Sequence, residues 1–148
     1  MGDKRRFDLF ARWLVKRFDG PRVYDVAGGM GKLNEALSKH GRRVTTFDRR
    51  HKRLPVQYKE RLFTLREPCA CDLVVGMHPD GATRIIVEYA ARHAVPFAVV
   101  PCCSDNGMSY RPWVRHLGDL ARQLGFPRVE EHDLPMEGRA RVIVGLLE

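Results

Sequence analysis

Apolar side chains recur at helical spacing in four stretches of the chain. In the first stretch, Phe7, Phe10 and Leu14 form a stripe, and most of the basic side chains lie off it. This spacing predicts an amphipathic helix that packs one face on a sheet. The other three stretches show the same period, and a glycine follows two of them as a helix C-cap. The predicted helices are Asp3 to Phe18, Lys32 to Lys39, Ala82 to His93 and Arg111 to Leu124.

Runs of bulky apolar residues between these helices predict buried strands. Pro55 breaks any helix that begins after Asp48, so the helix between the second and third strands is expected to be short or missing. The alternation predicts an α/β fold: a doubly wound, mostly parallel sheet with helices on both faces and a C-terminal antiparallel hairpin. The predicted strands are Val23 to Val26, Arg43 to Phe47, Arg61 to Thr64, Cys71 to Met77, Pro96 to Val100, Arg128 to His132 and Arg139 to Leu147.

The length of the chain predicts one domain, residues 1–148, in which residues 1–20 hold the N-terminal amphipathic helix. No apolar run approaches the roughly 20 residues of a membrane span, and the N-terminus has no signal-peptide core. We therefore expect a cytoplasmic protein that does not enter a membrane. The cysteines fall in two close pairs, which rarely form disulfides within a pair, so we expect reduced thiols. They are Cys69, Cys71, Cys102 and Cys103.

Three glycines within four positions lie between the first strand and the second helix. Glycine lets the backbone approach a ligand closely, and the free N–H groups of a helix N-terminus favour polar or anionic groups. Such a loop holds a nucleotide-like cofactor. Asn34 stands where a dinucleotide fingerprint has its third glycine, which disfavours a dehydrogenase. Asp48 ends the next strand, roughly 20 residues beyond the loop, where a carboxylate can accept both hydroxyls of a ribose.

The segment from Asp25 to Gly31 reads Asp-x-Ala-x-Gly-x-Gly. It resembles motif I of the class I S-adenosylmethionine-dependent methyltransferases, with Ala27 in place of the first glycine. The terminal strand pair also resembles the hairpin by which those enzymes complete their sheet. The resemblance implies S-adenosylmethionine as the cofactor. It implies a cofactor site formed by Asp25, Ala27, Gly28, Gly29, Met30, Gly31, Phe47, Asp48 and Met77.

Three loops are expected to meet at the carboxyl ends of the strands: the glycine loop, His78–Asp80 and Pro101–Ser104. Methyl transfer depends on in-line alignment, and a base assists when the acceptor is a hydroxyl or an acid. His78 is the candidate base, and a histidine that only lines the cavity is the alternative. Asp80 is predicted to orient His78 or the acceptor, and capping the following helix is its alternative role.

Cys102 and Cys103 follow the fifth strand and in this resemble RNA cytosine-5 methyltransferases, which place there a cysteine whose thiolate attacks the pyrimidine ring. The resemblance implies that these cysteines are further catalytic candidates. One cysteine in the core and one lining the cavity is the alternative. The loops His78–Thr83 and Pro101–Cys103 also resemble a group that includes tRNA ribose methyltransferases. Zinc is disfavoured because the thiol spacing is not the usual Cys-x-x-Cys and Cys71 is expected at the opposite end of the sheet, so we predict no metal.

The formal net charge is +8 and is uneven: residues 1–66 carry +11 and residues 67–148 carry −3. A positive field of this size attracts polyanions, so we predict an RNA partner, either tRNA or rRNA. The predicted RNA contacts are Arg49, Arg50, Lys52 and Arg53. A partner protein for substrate recognition is also open. The alternatives are a small-molecule methyltransferase with a solvated basic surface and an RNA-binding scaffold that keeps the fold without turnover.

Overall fold

The computed structural model describes residues 3–50, 56–79, 81–104 and 106–148. Its centre is a seven-stranded sheet of β1 Arg22–Val26, β2 Arg43–Asp48, β3 Tyr58–Glu60, β4 Leu73–Met77, β5 Phe97–Val100, β6 Arg128–Asp133 and β7 Arg141–Leu146. The strands lie in the order β3-β2-β1-β4-β5-β7-β6. Strands β1 to β5 pair in parallel, whereas β7 runs antiparallel to both β5 and β6. The predicted α/β fold with a C-terminal antiparallel hairpin is confirmed.

Four helices cover the two faces of this sheet in the described part of the chain: α1 Arg6–Arg17, α2 Lys32–Lys39, α3 Thr83–His93 and α4 Tyr110–Gln123. Helices α1 and α2 pack on one face, and α3 and α4 pack on the other. Successive residues of a strand point to opposite faces, which is why Val23 contacts the first pair of helices while Tyr24 contacts the second. None of these helices is long and apolar enough to cross a membrane.

The third strand lies at Tyr58–Glu60, so the predicted strand at Arg61 to Thr64 is wrong. The pairing of β2 with β3 begins with Thr46 opposite Tyr58. The apolar residue that suggested a strand, Phe63, instead leaves the sheet and packs its ring 5.1 Å from Phe47. A side chain buried on one face of an irregular segment produces the same short apolar signal as a strand residue.

Residues 61–72 form no helix and connect β3 to β4 as irregular chain. This segment covers the sheet with Phe63, which is buried against Tyr24 and Tyr89. The Tyr89 hydroxyl donates a hydrogen bond to the carbonyl oxygen of Glu67 at 2.8 Å, and Arg61 forms an ion pair with the Glu67 carboxylate at 2.6 Å. These contacts replace the helix that a doubly wound fold would have at this position.

Candidate functional site

A cavity of about 410 Å³ opens at the carboxyl ends of β1 and β4, where the order of the strands reverses. This reversal is the usual ligand site of an open α/β sheet. The cavity brings together five of the nine predicted cofactor residues from the glycine loop and its strand, as well as Met77 and His78 from the end of β4. The residues that line this glycine-loop cavity are Arg6, Phe7, Asp25, Ala27, Gly28, Gly29, Met30, Lys32, Leu33, Arg50, Met77 and His78.

The glycine loop is fixed by its backbone. The Ala27 N–H donates to the carbonyl oxygen of Phe47 at 2.7 Å, and Ala27 adopts a φ of 55°, which is uncommon for a residue other than glycine. Gly28 is enclosed, because a Cβ at this position would lie 2.3 Å from Asp25 Oδ2. Gly29 and Gly31 have φ values of 55° and 73°, which glycine adopts without steric cost. Close packing therefore requires a glycine at position 28, and backbone conformation favours glycine at positions 29 and 31.

Asp25 is almost completely buried beneath this loop. Its Oδ2 accepts a hydrogen bond from the Thr46 hydroxyl at 2.8 Å, and Thr46 in turn accepts one from the Asn34 amide at 3.0 Å. Its Oδ1 has no hydrogen-bond partner among the described residues. Burial, together with the nearby charge of Asp48, raises the pKa of Asp25 to about 7, although the Thr46 hydrogen bond opposes this shift.

Asp48 lies at the end of β2 as predicted, and its carboxylate is buried. Oδ2 accepts hydrogen bonds from the Gly29 N–H at 2.9 Å and from Arg50 Nη2 at 3.0 Å. Oδ1 accepts two more from the Arg50 N–H and Nε, both at 3.1 Å. Burial alone would raise the pKa of Asp48, but the hydrogen bonds from Arg50 and Gly29 outweigh it and hold the pKa below its usual value.

Arg6 contributes to the cavity from the first turn of α1, and sequence reasoning missed it. Its guanidinium lies 4.4 Å above the ring of Phe7, and its Nη1 donates to the Asp3 carbonyl oxygen at 3.0 Å. Its Nε is buried and has no acceptor among the described residues. A charged N–H without an acceptor is costly to bury, so the arrangement favours an anionic ligand. The sequence signal was only a basic residue beside the apolar stripe, which most often marks a solvated face.

His78 follows β4 and is half-buried. Its N–H donates to the Val100 carbonyl oxygen at 2.8 Å, and its φ of 48° lies in the left-handed region. Its Nε2 lies 3.0 Å from the carbonyl oxygen of Arg139, which can only accept a hydrogen bond, so Nε2 carries the proton. Burial lowers the pKa of His78, so the neutral ring predominates at neutral pH and leaves Nδ1 as a proton acceptor.

The remaining predicted site residues lie elsewhere. Phe47 is buried in the core below the cavity and contributes its carbonyl oxygen to the glycine loop. Cys102 and Cys103 follow β5, with their sulfurs 3.7 Å apart, and neither lines the glycine-loop cavity. Arg49 is exposed at the surface. Three predicted site residues lie outside the described residues, namely Lys52, Arg53 and Asp80.

All four cysteines are free thiols. Cys69 and Cys71 precede β4, with their sulfurs 3.8 Å apart, whereas the other pair follows β5. Because β4 and β5 are parallel neighbours, the first pair lies at the amino ends of the strands and the second pair at their carboxyl ends. Within residues 3–50, 56–79, 81–104 and 106–148, no group of three or more histidine, cysteine or acidic side chains is placed to hold a metal ion.

No family model and no curated protein sequence matches the chain. Solved structures do match. An O-methyltransferase family protein from Burkholderia thailandensis superposes with a TM-score of 0.66 and 18% identity, over 94% of this chain and 54% of that one. The N-terminal domain of EvdMO1 with SAH bound superposes with a TM-score of 0.65 and 14% identity, over 97% of this chain and 82% of that one. Human N-acetylserotonin methyltransferase in complex with SAM superposes with a TM-score of 0.60 and 16% identity, over 91% of this chain and 50% of that one.

These similarities, together with the strand order and the position of the cavity, show that the chain has the fold of the class I S-adenosylmethionine-dependent methyltransferases. At such low identities the likeness establishes the fold alone. The chain spans about half the length of several of these proteins.

Proposed function

We propose that this protein is an S-adenosylmethionine-dependent methyltransferase. The observation that carries the proposal is a pair of buried groups in the glycine-loop cavity. Among the residues that the structure describes, Asp25 Oδ1 has no donor and Arg6 Nε has no acceptor. S-adenosylmethionine ends in an α-amino acid. Its ammonium group can donate to Asp25 Oδ1, and its carboxylate can accept from Arg6 Nε. The two groups would otherwise be buried at a cost, so the residues fit this cofactor.

The carboxylate of Asp48 is the proposed ligand for the ribose hydroxyls, and Arg50 would leave it when the cofactor enters. Bound S-adenosylmethionine would supply its sulfonium methyl group to an in-line nucleophile, and S-adenosylhomocysteine would be the leaving group. His78 lines the same cavity as a neutral ring with an unprotonated Nδ1, so it could take a proton from a hydroxyl or amino acceptor. The neighbouring structures crystallised with SAM or SAH support this choice of cofactor.

For the acceptor, we propose RNA. The support is electrostatic: the net charge is +8, and basic side chains predominate in both cavities at the carboxyl edge of the sheet. A second candidate is a small molecule, because a second cavity of about 700 Å³ lies beside the first and has the size of a small-molecule site. Human N-acetylserotonin methyltransferase, a structural neighbour, is named for such an acceptor.

The cofactor proposal is tested by calorimetric titration with S-adenosylhomocysteine, 5′-methylthioadenosine and NAD. Methylthioadenosine lacks the amino-acid end, so we expect it to bind at least about 10-fold more weakly than S-adenosylhomocysteine, through the loss of charged hydrogen bonds. An Arg6→Gln variant should narrow that gap and leave methylthioadenosine binding unchanged. Preferential binding of NAD, or equal binding of the first two ligands, would overturn the proposal.

The two acceptor candidates differ in their response to salt. RNA binding releases counterions, so its affinity should fall by orders of magnitude between 50 and 200 mM salt if several phosphates are contacted. Methyl transfer from radiolabelled S-adenosylmethionine to total RNA is the matching activity assay. Salt-independent transfer to a low-molecular-weight fraction, with none to RNA, would favour the small molecule.

A further inference from the structure

The second cavity lies between the first turns of α4 and the β6–β7 hairpin, and we call it the hairpin cleft. It adjoins the glycine-loop cavity through Arg139, whose carbonyl oxygen binds His78 and whose guanidinium donates to the carbonyl oxygen of Cys102. The two cavities therefore share a wall at the carboxyl edge of the sheet. The cleft is lined by Tyr110, Arg111, Val114, Arg115, Glu131, Asp133, Leu134, Met136, Gly138, Arg139, Ala140 and Arg141.

The charges of the hairpin cleft do not balance. Its two acidic side chains, Glu131 and Asp133, each form an ion pair with Arg141 at 2.7 Å. Arg139 packs its guanidinium 4.5 Å from the centre of the Tyr110 ring. Arg111 and Arg115 are exposed and have no ion pair or hydrogen bond with any described residue. Arg111 and Arg115 thus face the cleft with no counter-charge among the described residues.

The position of these two arginines works against the helix that carries them. Arg111 and Arg115 are four residues apart, so they lie on the same face of α4 and repel each other. They also lie in its first two turns, where the helix dipole disfavours positive charge and where the first turn carries no acidic residue. No contact with a described residue compensates for this cost. A residue whose position destabilises its own helix is typical of a functional site.

We propose that the hairpin cleft binds the methyl acceptor and that Arg111 and Arg115 hold a phosphate group of that acceptor. A phosphate carries up to two negative charges and offers three or more oxygens, so it can engage two guanidinium groups, whereas a carboxylate is satisfied by one. The apolar lining, supplied by Val114, Leu134 and Met136, suits a base or a sugar face. The chemical class is therefore a phosphorylated acceptor, either a nucleotide within RNA or a free sugar phosphate. This inference rests on the proposed methyltransferase function.

The test compares two double variants that remove the same charge. Arg111→Gln with Arg115→Gln removes from the hairpin cleft the two arginines that form no ion pair or hydrogen bond with any described residue. Arg92→Gln with Arg122→Gln removes two exposed charges, one from α3 and one from the far end of α4. The probes are ribose 5-phosphate and its uncharged counterpart ribose, titrated by NMR in the presence of saturating S-adenosylhomocysteine, and a short single-stranded RNA titrated by fluorescence anisotropy.

We expect ribose 5-phosphate to bind the wild-type protein and ribose to bind far more weakly. The cleft variant should weaken ribose 5-phosphate at least about 10-fold, and the control variant less than about twofold, because only the cleft arginines make charged hydrogen bonds to the probe. A parallel loss of RNA affinity in the cleft variant assigns the phosphate to RNA. RNA affinity that stays unchanged assigns it to a small acceptor.

Equal effects of the two double variants, or equal binding of ribose and its phosphate, would overturn the inference. S-adenosylhomocysteine binding distinguishes this failure from failure of the proposed function, because the cleft variants leave the glycine-loop cavity intact. If the cofactor binds and the phosphate contrast is absent, the hairpin cleft is not the acceptor site. If the cofactor does not bind at all, the methyltransferase proposal fails and the acceptor role of the cleft fails with it.

Discussion

The two cavities at the carboxyl edge of the sheet are built in opposite ways. In the glycine-loop cavity the carboxylate of Asp25 is buried, and a chain of hydrogen bonds from Asn34 through Thr46 holds it. In the hairpin cleft the charges are exposed, and Arg111 and Arg115 lack partners in the described structure. The first cavity is therefore sensitive to any change of shape, whereas the second can change its charges without disturbing the fold. Residues of the hairpin cleft can therefore change during evolution, and alter specificity for the acceptor, without loss of the glycine-loop cavity.

The largest effect is expected at His78, on the wall between the two cavities. Replacing His78 with Asn should lower kcat about 100-fold or more if the ring acts as the general base. Because burial holds the pKa of His78 below its usual 6.5, the wild-type rate should rise with pH and reach its plateau near neutrality. Initial rates of methyl transfer measured from pH 5 to 8 give both the kcat of the variant and the pH dependence of the wild-type rate.

Asparagine is a suitable replacement because it tolerates positive φ values, so the backbone at 48° can be retained. An unchanged melting temperature would show that the fold is intact. If kcat and its pH profile are the same in His78→Asn and in the wild type, His78 only lines the cavity and the acceptor loses its proton elsewhere.

Gly28→Ala tests the dependence of the first cavity on shape. The added Cβ would lie 2.3 Å from Asp25 Oδ2 and 2.6 Å from Thr46 Cγ2, so buried groups must shift. We expect a loss of about 2–3 kcal/mol of stability and of measurable cofactor binding. Chemical denaturation and calorimetry would measure these effects.

Gly118→Ala is the matched control, because Gly118 lies within α4 and a Cβ there comes no closer than 3.4 Å to the end of Arg122. Alanine is the better helix former, so this variant should be unchanged or up to about 1 kcal/mol more stable. Equal destabilisation of the two variants would mean that the glycine loop has no special shape requirement.

The strand, turn and helix that form the first cavity could be predicted from the sequence because their determinants are local. A strand, a glycine-rich turn and a helix follow one another within residues 22–39, and the sheet topology places Asp48 beside them. Hydrophobic period and glycine spacing are sufficient to predict such a unit. Even the unexpected Asn34 fits, because its buried amide donates to Thr46 and to the carbonyl oxygens of Val44 and Gln57.

The hairpin cleft could not be predicted in this way, because its arginines come from α4 and β7, which are distant in sequence. Arg6 escaped notice for the same reason: the position of its buried Nε depends on how α1 docks beside the glycine loop. Charge counting predicts RNA contacts at Arg49, Arg50, Lys52 and Arg53, and in the structure the guanidinium of Arg50 binds Asp48. A count of charges does not show which of them are already paired.

Asp25→Asn separates the charge of the first cavity from its shape. The amide keeps the size of the side chain but loses the negative charge that would accept from the cofactor ammonium. We expect S-adenosylhomocysteine to bind about 1.5–3 kcal/mol more weakly, which is roughly 10- to 100-fold. Unchanged affinity in a titration would remove Asp25 from the set of cofactor ligands.

The same residue gives a pH dependence of stability. The pKa of Asp25 is raised from 3.8 to about 7 in the folded protein, so the folded state binds more protons than the unfolded state between those values. The contribution of Asp25 to stability is therefore complete below about pH 4 and is lost as the pH rises toward 7 and above. The ligand-free wild type should lose more stability than Asp25→Asn between pH 5 and 8 in thermal melts. Parallel pH profiles would contradict the raised pKa.

Arg50→Ala has the smallest expected effect. It tests whether the Arg50 side chain blocks the Asp48 carboxylate in the ligand-free protein. The Asp48 carboxylate offers about four lone-pair positions, and four hydrogen bonds occupy them, two of which come from the Arg50 guanidinium. Ribose hydroxyls can therefore bind Asp48 only after that guanidinium leaves. The side chain of Arg50 is 63% exposed, and an ion pair of this kind contributes no more than about 1 kcal/mol. Its removal should strengthen S-adenosylhomocysteine binding by up to about fivefold in calorimetry. Weaker binding would instead mean that Arg50 contacts the cofactor directly, and the guanidinium would then belong to the site as a ligand.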